Sequence, residues 1–175
     1  MKQVTHTPDL DQLAEFQIFH ELPEEAIRLF SDQFQYKEAT DGDILIKEGD
    51  PGDSLFLLLE GEVEVTQALT FVMTKKPGPD SREKAIIRLN HRMHPFFGEM
   101  SIFAEEDTRT ANIRAVTKCL LAEIHRDDFF RVTHEQPDIG LQVTENITRV
   151  LVDRLKKTNN DVVKLTTALA LILEQ

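Results

Sequence analysis

Glycine spacing constrains this chain more than any other feature. From Gly42 to Val65 it reads GDILIKEGDPGDSLFLLLEGEVEV, with Gly42, Gly49, Gly52 and Gly61 cutting it into runs too short for helices. Apolar runs of this length, bounded by turn residues, are the mark of strands. The Gly-Asp and Glu-Gly dipeptides supply turn chemistry, and GEVEV alternates with the period of a strand. Downstream, LTFVMT and AIIRL flank a charged stretch with two prolines and a glycine, KKPGPDSREK. That pattern predicts a long hairpin with its tip at residues 74–84. NIRAVTKCLLAEI adds two more strands. Many short strands with glycine turns point to an antiparallel barrel or jelly roll.

Helical periodicity brackets this β-rich segment. LPEEAIRLF sets Pro23 near a first turn and puts Ala26, Ile27, Leu29 and Phe30 on one apolar face. After Arg126, DDFFRVTHEQP predicts a short capped helix stopped by Pro137. From Ile139 onward there is no proline, and Gly140 is the last glycine. Thr148, Leu151, Leu155, Thr158, Val162, Leu165, Leu169 and Ile172 are spaced 3-4-3-4-3-4-3, an a/d seam over more than three heptads. Such a seam packs either on its own roll or on a second chain. Its length favours the second chain, hence a homodimer. The expected fold class is α+β: a β-roll, jelly-roll-like, flanked by N-terminal helices and a long C-terminal dimerisation helix. Residues 1–138 would form the roll with its helices, and 139–175 the dimerisation helix.

Charge and composition narrow the function. The net charge is −11, and residues 1–65 alone hold 4 basic against 16 acidic groups. No basic stripe exists to meet a nucleic acid. No apolar run approaches the ~18 residues of a membrane span, and the first residues lack an apolar signal core. The expectation is a cytoplasmic protein with no membrane or nucleic-acid partner. A single cysteine, Cys119, excludes an internal disulfide framework and lies in an apolar strand where a thiol is usually inert packing.

The stretch FGEMSIFAEEDTRTANIRA, residues 97–115, carries the chemistry. Gly98 allows a tight turn and close approach of a ligand. EMSIF can form one helical turn whose first N–H groups face that turn, a place that attracts phosphate. Arg109 offers a planar fork of donors to the same phosphate. Glu99, acceptor-only when ionised, suits a sugar hydroxyl. Thr110 adds a hydroxyl, and Ala111 keeps its N–H accessible. Together these residues match a ribose-phosphate. A buried Glu99–Arg109 ion pair across a turn is the purely structural alternative.

FGEMSIFAEEDTRTA resembles the phosphate-binding cassette of the cyclic nucleotide-binding domain family: aromatic-Gly-Glu, a small helix, then Arg-Thr/Ser/Ala-Ala. The likeness extends upstream through IKEGDPGDSLFLLLEGEVEV and covers roughly residues 10–165. The Gly98-to-Arg109 interval is similar to that of the bacterial catabolite activators in the family. The resemblance implies a non-enzymatic sensor whose ligand is cAMP or cGMP, with no metal or other cofactor. It implies that Glu99 accepts from the ribose 2′-hydroxyl, that Arg109 pairs with the cyclic phosphate, and that amides near Met100, Ser101 and Ala111 complete the cradle. DRLKKTNNDV resembles the place where the long helix meets the ligand. Arg154 would reach the Glu99 side, and Thr158 and Asn159 the purine edge, with ligand occupancy passed along that helix to an unknown effector protein. Two features depart from the family pattern: the approach NHRMHPFFGEM has no glycine before Gly98, and the hairpin tip is long. The tail TTALALILEQ carries no basic recognition residues, so a DNA-binding role is not expected of this chain.

Two rival readings compete. A degenerate roll serving only for dimerisation or docking would need neither Glu99 nor Arg109. A cupin-like metal site would use His91, His94 and Glu99, but the usual HxH spacing is absent, and metal sites need further ligands.

Overall fold

The computed structural model of the chain describes residues 1–7, 9–68, 83–104 and 108–173. Nine strands are described: β1 Lys2–Val4, β2 Gln35–Ala39, β3 Ile44–Ile46, β4 Ser54–Glu60, β5 Glu62–Ala68, β6 Glu83–Asn90, β7 Phe96–Phe97, β8 Asn112–Ala115 and β9 Cys119–His125. The helices are α1 Leu10–Ala14, α2 Glu24–Ser31, α3 Met100–Phe103, α4 Arg126–Glu135 and α5 Pro137–Leu173. The strands form two sheets, one in the order β1-β2-β9-β4-β7 and one in the order β3-β8-β5-β6. The pairings within both sheets are antiparallel. This is the β-roll flanked by helices that the glycine spacing predicts. The expected AIIRL strand lies in β6, which pairs antiparallel with β5, upstream of the expected LTFVMT arm. The LTFVMT segment and residues 74–82 of the expected tip lie outside the described residues, whereas Glu83 and Lys84 already belong to β6.

β4 explains why a strand here reads as a continuous apolar run rather than an alternating one. Leu55, Leu57 and Leu59 face a helical layer together with Phe16, Phe30, Phe129, Val143 and Ile147. Phe56 and Leu58 face the roll interior with Leu45, Val63, Phe97 and Leu121. A strand buried on both faces has no polar side to show. β9 follows the same rule: Leu120, Ala122 and Ile124 point to the helices, and Cys119 and Leu121 point inward.

The helices differ from expectation in three details. In α2, Ala26, Ile27 and Phe30 are buried, but Leu29 is 38% exposed, because its position turns off the face that meets the core. α4 has no side-chain N-cap. Pro137 opens α5 instead of merely ending α4, since proline lacks only an N–H that the first turn leaves unpaired anyway. α5 is 37 residues long. Its first half belongs to the core: Gly140, Val143, Asn146 and Ile147 are buried. A Cβ at Gly140 would lie 2.6 Å from the Thr133 carbonyl oxygen, so glycine permits the close contact of α4 and α5. Asn146 ties the helix down by donating to the carbonyls of His20 (2.8 Å) and Ile18 (3.3 Å). Beyond Leu151 every described residue of the helix is exposed. Among the described residues no helix is long and apolar enough to cross a membrane.

Candidate ligand pocket

The turn at Gly98 organises the site. Its φ is +82°, and a Cβ there would lie 2.7 Å from the Ser54 carbonyl and 2.9 Å from Arg109 Nη1. Only glycine fits both the backbone and the crowding. The turn feeds directly into α3, a single helical turn. The Ser101 N–H is used in closing that turn, donating to the Gly98 carbonyl at 3.1 Å.

Glu99 and Arg109 do not pair with each other. Glu99 is 4% exposed and accepts from Arg154 Nη1 at 2.5 Å. Arg154 also donates to the Phe96 carbonyl at 2.8 Å and lies over the Phe96 ring. Arg109, 8% exposed, donates through Nη1 to the Ser54 carbonyl at 2.8 Å and through Nη2 to Ser54 Oγ at 3.0 Å. Its guanidinium lies 5.9 Å from the Phe56 ring centroid. Its backbone is clamped to the loop before β4, with the Arg109 N–H on the Asp50 carbonyl and the Gly49 N–H on the Arg109 carbonyl. Gly52 clears space for the side chain, since a Cβ there would lie 2.1 Å from Arg109 Nε.

These groups converge on a cavity of about 350 Å³, within the roughly 300–1,000 Å³ of small-molecule pockets. Gly98, Glu99, Met100, Ser101, Arg109, Thr110, Ala111, Arg154 and Thr158 all line it. Asn159 does not line it within one chain and is exposed. The floor is apolar, made by Ile46, Val65, Ile87, Leu89, Phe97 and Ile113. Lys157 and Asp161 also reach the pocket, and neither stands out in the sequence. Their signal was the helical repeat: one turn separates Lys157 from Asp161, and both flank Thr158 on the same face. A buried guanidinium facing a buried carboxylate over an apolar floor suits a small anion with hydroxyls on one side and a flat apolar body. Among the described residues, no group of three or more His, Cys, Asp or Glu could hold a metal ion.

The sequence profile of the cyclic nucleotide-binding domain matches residues 36–136. The chain belongs to the cyclic nucleotide-binding domain family. This cyclic nucleotide-binding domain is 29% identical over 153 residues to a CRP-like cAMP-activated global transcriptional regulator of Mycobacterium tuberculosis, covering 87% of this chain and 61% of the regulator. It is 36% identical over 114 residues to a cGMP-dependent protein kinase, isozyme 1, of Drosophila melanogaster, covering 63% of this chain and 13% of the kinase. The chain thus spans 61% of the length of the mycobacterial regulator. The crystal structure of the Thermus thermophilus catabolite activator protein superposes with a TM-score of 0.70 at 25% identity, covering 86% of this chain and 63% of that one. A cyclic nucleotide-binding domain from Methylobacillus flagellatus shares the fold, with a TM-score of 0.72 at 24% identity over 88% of this chain and 80% of that one.

Proposed function

We propose that this domain is a non-enzymatic sensor that binds cAMP or cGMP and passes occupancy to α5. The observation that carries the reading is the burial of Arg109 and Glu99 on the wall of one cavity with an apolar floor. Arg109 pairs with the cyclic phosphate, since a planar fork of donors matches a phosphate edge. α3 is one turn long, so most of the charge complementarity comes from Arg109 and not from a helix terminus. The amides near Met100 and Ala111 face the same anion; the Ser101 N–H does not, because it donates to the Gly98 carbonyl. Glu99 accepts from the ribose 2′-hydroxyl, and Thr110 contributes a hydroxyl beside the phosphate. The apolar floor takes the purine face, and Thr158 meets its edge. Asn159 acts only from a second copy, because it is off the pocket of its own chain.

Signal transfer follows from Arg154, whose guanidinium joins Glu99 and the Phe96 carbonyl to α5. A ribose hydroxyl on Glu99 alters the contact through which α5 is held. A hollow of about 360 Å³ between α3 and α5, lined by Met100, Phe103, Thr148 and Leu151, gives α3 room to shift. The ligand then favours one helix arrangement by its differential affinity. The fitting cellular setting is the cytoplasm, with a homodimer acting on a separate effector and no membrane or nucleic-acid contact. Calorimetric titration with cAMP, cGMP and a cyclic dinucleotide tests the reading: one mononucleotide is expected to bind saturably and the dinucleotide not to. Absence of binding by both mononucleotides would leave a docking module without ligand.

A further inference from the structure

Behind Arg109 stands a buried polar chain that does not line the cavity. Strand parity puts Lys37 of β2, Ser54 of β4 and Glu123 of β9 on the inner face of the five-stranded sheet, in phase with Ala39, Phe56 and Leu121. Ser54 is 2% exposed and Glu123 4%. Arg109 Nη2 donates to Ser54 Oγ at 3.0 Å, and Ser54 Oγ donates to Glu123 Oε1 at 2.9 Å. The direction of this chain is forced. Arginine can only donate and a carboxylate can only accept, so the single serine proton must point to Glu123. Lys37 Nζ pairs with Glu123 Oε2 at the outer end.

Placing a serine and a carboxylate among phenylalanine and leucine side chains is costly, and apolar replacements of such buried groups are often neutral or stabilising. Stability alone therefore does not account for them. Their geometry does: two donors of the guanidinium are held by one residue, through the Ser54 carbonyl and Ser54 Oγ, and the Phe56 ring lies against its face. We propose that Ser54 and Glu123 are positioning residues for the anion site, a hydroxyl–carboxylate relay that orients the Arg109 fork and offsets its charge before ligand arrives. The inference rests on the cyclic nucleotide reading of the pocket and goes beyond it, because neither residue lines the cavity.

The test is calorimetric binding of cAMP and cGMP to the full chain and its variants, with thermal melting alongside. Ser54→Ala is expected to weaken binding about 10-fold, the scale of one hydrogen bond to a charged group. Ser54→Thr, which keeps the hydroxyl, should restore affinity to within about threefold of the parent. Glu123→Gln keeps the shape but removes the charge that directs the serine proton, and is expected to weaken binding in the same direction. In an Arg109→Lys background, Ser54→Ala should add less than about twofold, because residues that act through one another are not additive. If Ser54→Ala binds as the parent does, or if its loss is fully additive with Arg109→Lys, the relay is wrong while the pocket assignment stands. If the parent binds neither nucleotide, the pocket assignment fails and the relay with it.

Discussion

Arg109 is the residue on which most of the proposed affinity rests. Its partner would be an anion removed from water, and truncating one member of such a pair costs on the order of 2–5 kcal/mol. Arg109→Ala is expected to lose that much binding by titration, and Glu99→Ala less, since the proposed ligand partner of Glu99 is a neutral hydroxyl. Equal binding by Arg109→Ala and the parent would remove the phosphate assignment. Both residues were legible in the sequence because they lie in one contiguous motif. Ser54 and Glu123 were not, because a polar residue at an inward position is recognisable only once the strand's phase is known. A second expectation concerns Tyr36, the single tyrosine of the chain. Burial, and secondarily the nearby Asp32 charge, push its phenol up to about 12. A raised folded-state value means the folded chain keeps its proton where the unfolded chain has lost it. The contribution is whole below pH ~10, near the ordinary tyrosine value, and is lost as pH rises towards 12. Over that window stability is expected to fall by roughly 2–3 kcal/mol in excess of any change in Tyr36→Phe. With no tryptophan in the chain, tyrosinate absorbance reads the titration directly. An ordinary midpoint in the folded protein would show that the phenol is not held as described.

At the scale of elements, the glycine-bounded strands and the long helix were readable because each obeys a local rule of turn chemistry or periodicity. The docking of α5 was not. Its heptad pattern begins at Thr148, yet its buried contacts come earlier, through Gly140, Val143, Asn146 and Ile147, and within the heptads it is the polar Arg154 that reaches the roll. Asn146 is a buried polar residue whose partners, the carbonyls of Ile18 and His20, lie more than 120 residues away in sequence, and no local pattern announces such a pairing. α3 illustrates the same limit. Its C-terminal carbonyls at Ser101 and Ala104 accept from Arg126 at the start of α4, so the cassette is braced from an element outside its motif. Thr158 is where element and site meet. Its Oγ1 donates to the Arg154 carbonyl at 3.0 Å within the helix, and the residue lines the pocket. Valine in its place leaves no buried group unpaired and adds an apolar side chain to the seam. Thr158→Val is therefore expected to keep or tighten a dimer while weakening nucleotide binding or changing the cAMP-to-cGMP preference. Sedimentation and titration of the same variant separate the two effects. A looser dimer with an unchanged binding profile would assign Thr158 to helix register alone.

For the whole molecule, the unresolved stress is the outer half of α5. Past Leu151 the helix continues to Leu173, roughly 33 Å at 1.5 Å per residue. Along that length Leu155 is 60% exposed, Val162 53%, Leu165 66%, Leu169 55% and Ile172 69%. A helix overhanging in water with this much apolar surface gains little from propensity alone, since helical stability in proteins comes mostly from packing one face. These five residues follow the a/d seam, the arrangement a second helix covers, while the exposed Val152, Val163, Leu171 and Leu173 lie off it. The seam side chains are exposed in the single chain, whereas Arg154, between the seam positions, still reaches the roll through Glu99 and the Phe96 carbonyl. Burying each leucine of such a seam is worth about 1.5–3 kcal/mol, enough for a few pairs to hold two chains together at micromolar concentrations. The net charge of −11 opposes close approach of two copies, but the acidic excess lies in residues 1–65, and the 141–175 segment is nearly balanced. Exchanging two seam positions, Leu155→Asp with Leu165→Asp, is expected to yield a monomer by sedimentation velocity. Both side chains are exposed in the single chain, so the melting of the roll should change little while hydrogen exchange beyond Leu151 rises sharply. A parent that sediments as a monomer over the same concentrations, with slow exchange in that segment, would mean that the overhang is stabilised by something other than a second copy of itself.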